Sequence, residues 1–141
     1  MKKISNTPYM FFFGLVFFFL IISFFVGNKT FDIHIYNTYF TISNTRFCYF
    51  SSVFFGLIGV NYFSLHWVQK PPNKWLTGVH ITLQTIAILF YILFLLVPDK
   101  APESVGPTPN SDTILWIGFL VFLIATLVHL ITFLIAIMKK Q

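Results

Sequence analysis

Charge is scarce in this chain. Asp and Glu together number four, none falls inside a long apolar run, and only 9% of the residues are Asp, Glu, Lys or Arg. A soluble domain normally carries about a quarter of its residues as charges, so a water-facing globular surface is excluded. Cysteine is nearly absent: Cys48 alone can make no internal disulfide and has no second thiol at a metal-ligand spacing. There is no Gly-rich phosphate loop, no nucleophile–base–acid set and no pair of carboxylates within an apolar run, which leaves no recognisable catalytic constellation. Gly56 and Gly59 are only three positions apart and Gly14 stands alone, so no GxxxG packing face is present. The apolar runs also lack the Gly/Pro interruptions and intramembrane carboxylates that mark transporter sites.

What the chain has instead is apolar length. Of its 141 residues, 57% are hydrophobic and 20 are Phe, and the mean hydropathy is +0.81. Blocks such as Phe11 to Phe13 and Phe17 to Phe19 point rings to every side of a helix, as in helices surrounded by lipid or by other helices. A hydrocarbon core of about 30 Å takes about 20 residues of helix at 1.5 Å each. Four stretches meet that length: about Pro8 to Gly27, Arg46 to Trp67, Leu76 to Val97 and Thr113 to Met138. Lys2 and Lys3 precede the first run as they would in a signal peptide, but the run lacks an Ala-x-Ala-like exit and reads as a retained helix. The expected fold is all-α, a single membrane domain over residues 1–141 built as an integral membrane four-helix bundle.

The connections set the topology. Gln69 to Lys74, with Pro71 and Pro72, forms one polar turn, and residues 98–112, with Pro98, Pro102, Pro107 and Pro109, form a longer outer loop. Residues 28–45 form the other outer loop, too polar to span yet carrying Phe31, Ile33, Ile35, Tyr39, Phe40 and Ile42, and are expected to fold against the membrane surface. Lys2, Lys3, Lys70, Lys74, Lys139 and Lys140 share one side; Lys29, Arg46 and Lys100 share the other with all four acids. The positive-inside rule therefore puts both termini in the cytoplasm, in a multi-pass protein of the cell's inner (cytoplasmic) membrane. Basic residues confined to segment ends, with no basic stripe, exclude nucleic acid as a partner and leave the lipid bilayer.

Residues 28–67 read NKTFDIHIYNTYFTISNTRFCYFSSVFFGLIGVNYFSLHW, and this stretch resembles the catalytic subunit, subunit I, of the haem-copper oxidases. That family carries Leu-Asp-Ile, two residues, His-Asp-Thr-Tyr, then His-Phe-His-Tyr entering a helix that ends near His-Trp. Phe31-Asp32-Ile33 matches the start, Thr38-Tyr39 the middle and His66-Trp67 the end. Asn73 to His80 is similar to the family's next helix start, Leu-Gly-x-x-His. The likeness covers about half the chain and places its first three helices among three consecutive late helices of a longer subunit; the fourth has no clear counterpart. It also implies the same two membrane sides as the charge count.

The family's functional positions are changed. Where a His and an Asp hold a divalent ion, this chain has Tyr36 and Asn37. Where two His bind haem iron, it has Asn44 and Arg46. An amide is a poor haem ligand and a guanidinium cannot deprotonate to bind iron. The resemblance therefore implies a non-catalytic accessory or interaction subunit of a respiratory membrane complex, with another membrane protein as partner and no cofactor.

Four histidines remain. His66 and His80 lie near the inner ends of two helices, where a pair could ligate a haem b or a metal ion in an electron-transfer protein, or simply snorkel to the interface. His129 lies deepest, and Thr82, Thr85 or Thr126 are its expected hydrogen-bond partners. Counting turns from the helix ends separates His80 from His129 by about 8 Å in depth, which argues against pairing them. His34 sits in the outer loop near Asp32 and reads as solvated. Arg46 is expected as a snorkelling anchor, or as a partner of an outer acid such as Asp32, and Trp67, Trp75 and Trp116 as interfacial belt residues.

Overall fold

The computed structural model describes residues 7–26, 30–35, 38–96 and 111–138, with side chains 31–40, 111 and 112 left aside. Its elements run α1 (Pro8–Phe25), β1 (Thr30–Ile35), β2 (Thr38–Ser43), α2 (Asn44–Trp67), α3 (Lys74–Leu96) and α4 (Ser111–Met138). All four helices are long and apolar enough to cross a membrane. Their ends agree with the sequence expectation to within about two residues, the usual uncertainty of helix termini. The outer loop expected at residues 98–112 lies mostly outside the described residues.

The fold is not purely helical. β1 and β2 pair antiparallel, with Thr30 opposite Ser43 and Ile35 opposite Thr38. The segment expected to lie folded on the membrane surface is thus a hairpin, and its alternating, β-branched composition (Thr30, Ile33, Ile35, Thr38, Thr41, Ile42) gives the reason. β2 runs straight into α2. Ser43, extended at φ −71° and ψ 138°, caps the helix by accepting the Arg46 backbone N–H on its hydroxyl at 3.4 Å. At the other end Gln69 adopts a left-handed φ of 56°, and Pro71 and Pro72 prevent continuation. Asn73 starts α3: its side-chain oxygen accepts the Trp75 N–H at 3.0 Å and its carbonyl accepts the Thr77 N–H at 2.9 Å.

The chain divides into two compact units, Met1–Gln69 and Lys70–Gln141. In the first, α1 and α2 pair antiparallel, since Tyr9 meets Phe63 and His66 while Phe19 meets Phe55. An aromatic stack fills the interface. Phe19 lies on Phe55 at 5.2 Å, Phe55 on Phe12 at 6.4 Å and Phe12 on Tyr62 at 5.4 Å, all with interplanar angles below 30°. Because lipid chains are as apolar as these side chains, close packing rather than escape from water holds the two helices together. Each well-packed aromatic pair contributes about 0.5–1.5 kcal/mol. Gly59 permits the approach: a methyl group there would come within 3.1 Å of the Phe13 ring.

In the second unit α3 and α4 also run antiparallel, as the contacts of Phe90 with Gly118 and of His80 with His129 require. The buried face of α3 is Thr77, His80, Gln84, Ala87, Ile88 and Tyr91, at three- and four-residue steps apart from the adjacent Ala87 and Ile88. That of α4 includes Ala125, His129, Thr132 and Ala136. The large apolar side chains, among them Leu89, Leu93, Leu120, Leu127 and Leu130, point outward. An apolar exterior over a small and polar seam is what lipid surroundings favour.

Candidate functional site

The seam of α3 and α4 buries a cluster of polar side chains, Thr77, His80, Gln84, His129 and Thr132. His80 is fully buried and His129 nearly so, with ring centroids 5.0 Å apart and planes tilted by 31°. Phe133 flanks His129 at 6.3 Å. One helical turn either side of His80, Thr77 and Gln84 are likewise enclosed. Neither the Thr77 hydroxyl nor either end of the Gln84 carboxamide has a hydrogen-bond partner among the described residues. Thr132 donates to the Val128 carbonyl at 2.6 Å.

The count of turns that separated His80 from His129 is corrected here. Counting from the two helix ends assumes that those ends are level, and they are not. The Lys70 ammonium donates to the Ile137 carbonyl at 3.1 Å, and Ile135, Ala136 and Met138 face Pro71 to Lys74 across one depression. The end of α4 therefore lies level with the connection that precedes α3, and this stagger removes the apparent difference in depth.

The three threonines expected near His129 each donate within their own helix. Thr82, Thr85 and Thr126 donate to carbonyls four residues back in their own helices, Gly78, Ile81 and Phe122, at 2.8–2.9 Å. A hydroxyl in a low-dielectric setting is satisfied most cheaply by its own helix. The rings of His80 and Phe133 pack beside His129.

His66 belongs to the first unit. It is exposed near the end of α2, in the first unit, with its ring 5.4 Å from that of Tyr9, whereas His80 is enclosed in the second. At the positions that resemble the family's haem ligands, Asn44 is buried and Arg46 is exposed at the start of α2. A buried amide beside a solvent-directed guanidinium does not make an iron-ligating pair, so the residues present do not fit a haem there. Trp67, Trp75 and Trp116 are exposed near helix ends. Thr38 and Tyr39 form the start of β2, Asp32 and His34 belong to β1 with side chains not described, and Tyr36 and Asn37 lie outside the described residues.

Chemically, the His80–His129 pair offers two imidazoles on one site. Imidazole suits first-row metal ions, so the pair would supply two ligands to such an ion. A haem between them would need about 6 Å, more than the pair provides. Among the described residues no third His, Cys, Asp or Glu joins them.

Four helices long and apolar enough to cross a membrane define a multi-pass membrane protein, with aromatic packing in its first unit and a polar seam in its second. No family model, curated protein or solved structure matches this chain.

Proposed function

We propose that the chain is a non-catalytic accessory subunit of a respiratory membrane complex, in the cytoplasmic membrane with both termini cytoplasmic, and that it is related to a segment of haem-copper oxidase subunit I. The observation that carries this reading is the entry into α2. The loop-to-helix signature is kept while its two ligand positions hold Asn44, buried, and Arg46, exposed. A chain that keeps this entry without the ligands serves assembly rather than oxygen chemistry. Six basic residues on one set of connections against three on the other support the orientation.

Affinity purification of the tagged chain in mild detergent tests the role. Other membrane subunits should be retained and oxygen uptake should change on deletion; a chain recovered alone, with respiration unaltered, refutes it. Thiol labelling in a Cys48→Ser background tests orientation: a cysteine at Lys74 should react from the cytoplasmic side and one at Thr41 from the opposite side.

A second reading is favoured by the 5.0 Å spacing of His80 and His129: the pair binds a first-row metal ion in place of the His66–His80 haem arrangement. Metal analysis and a visible spectrum with and without dithionite decide it. Metal lost on His129→Ala but kept on His66→Ala supports this reading, and a colourless, metal-free preparation ends it.

A further inference from the structure

We propose that the junction between the start of α3 and the end of α4 is a binding site for the phosphate group of an anionic membrane phospholipid. The site is a depression of about 690 Å³ with Pro71, Pro72, Asn73 and Lys74 on one wall and Ile135, Ala136 and Met138 on the other. Its volume lies within the range of small-molecule sites. Its position follows from the helices: it sits where two spans long enough to cross a bilayer begin and end, at the level where hydrocarbon gives way to headgroups. Trp75 and Met138, both more than two-thirds exposed, mark that level with large apolar side chains.

The chemistry of the walls is amphipathic. Ile135, Ala136, Met138 and the two proline rings offer an acyl chain an apolar surface, and Lys74 stands on the polar wall. Lys70 adds a second ammonium at the rim, where it donates to the Ile137 carbonyl at 3.1 Å. That bond offsets the negative end of the α4 dipole, which would otherwise repel an anion. Lys139 and Lys140 follow Met138 directly in the sequence, and no Asp or Glu occurs from Lys70 to Val97 or from Thr113 to Gln141. Lysines clustered at this level favour a net negative headgroup over a zwitterionic one, and basic sites between spanning helices are known to hold such lipids. A soluble phosphate would use the cations but not the apolar wall.

The test is native mass spectrometry of the full chain, stripped of lipid in an uncharged detergent and titrated in parallel with phosphatidylglycerol, phosphatidylcholine and chain-free glycerol 3-phosphate. Phosphatidylglycerol should bind well ahead of phosphatidylcholine. The K70Q/K74Q variant should lose about fivefold in affinity for each lysine, and high salt should erode the preference. K2Q/K3Q, which removes the same charge elsewhere, should bind as the unaltered chain does. K70R/K74R, which keeps the charge, should bind as well, so that a loss confined to K70Q/K74Q is one of charge at this site. Equal binding of the two lipids, equal losses in K70Q/K74Q and K2Q/K3Q, or glycerol 3-phosphate binding as tightly as the lipid would each overturn the proposal.

Discussion

Replacing single glycines by alanine should change stability in opposite directions depending on what the added methyl group meets. At Gly118 a Cβ would stand 2.9 Å from the Cβ of Phe90, with the Ala87 carbonyl oxygen at 3.8 Å. Two carbons in contact need about 3.5–4.0 Å. Both atoms are attached directly to helix backbone, so no rotamer change relieves the clash, and α3 and α4 must part by roughly 0.6–1 Å. Overpacking of this kind costs about 1–3 kcal/mol. Alanine returns up to about 1 kcal/mol through its better helix propensity, leaving a net loss of up to about 2 kcal/mol for Gly118→Ala. At Gly14 and Gly78 an added Cβ meets nothing within 4 Å, so the same substitution keeps only the propensity gain. Gly59→Ala falls between, because the atoms it meets belong to the movable ring of Phe13. The assay is the midpoint of dodecyl-sulfate unfolding followed by circular dichroism, with each variant compared in the same micelle. Gly118→Ala as stable as Gly14→Ala and Gly78→Ala would refute the claim that close α3–α4 approach depends on residue 118.

Other substitutions probe the remaining interfaces. Phe12→Ala should lose about 2–4 kcal/mol by opening the stack between Phe55 and Tyr62, while Phe17→Ala, 66% exposed on the same helix, should stay within about 0.5 kcal/mol of the parent; equal effects would contradict the α1–α2 pairing. Gln84→Leu, which replaces a buried carboxamide lacking partners among the described residues by an apolar side chain of similar size, should be neutral or stabilising by up to about 1 kcal/mol. A loss above about 2 kcal/mol would show that the amide makes a bond the seam depends on. Cys48, with no exposed surface, should react with a maleimide on the order of 100-fold more slowly in the folded protein than after denaturation; comparable rates would place the thiol outside the core.

The number of spanning helices and their approximate ends were determined by the sequence, because the thickness of the hydrocarbon layer imposes a one-dimensional requirement that any run of about 20 apolar residues meets. The breaks at Pro71–Pro72 were equally legible, since proline acts on its own backbone and that of its immediate neighbours. The β-hairpin was half legible: Phe31, Ile33 and Ile35 alternate, but in a greasy chain that pattern also suits a segment lying on the membrane. Only the tertiary structure decided which faces of the helices meet. In water, a polar stripe tells the inside of a helix from the outside; here the helices are apolar nearly all round, and lipid-facing and partner-facing positions look alike. Gly118 carried no sequence signal for that reason. His80 and His129 come together only once the rotation and stagger of α3 and α4 are fixed, and the length of an apolar run sets neither.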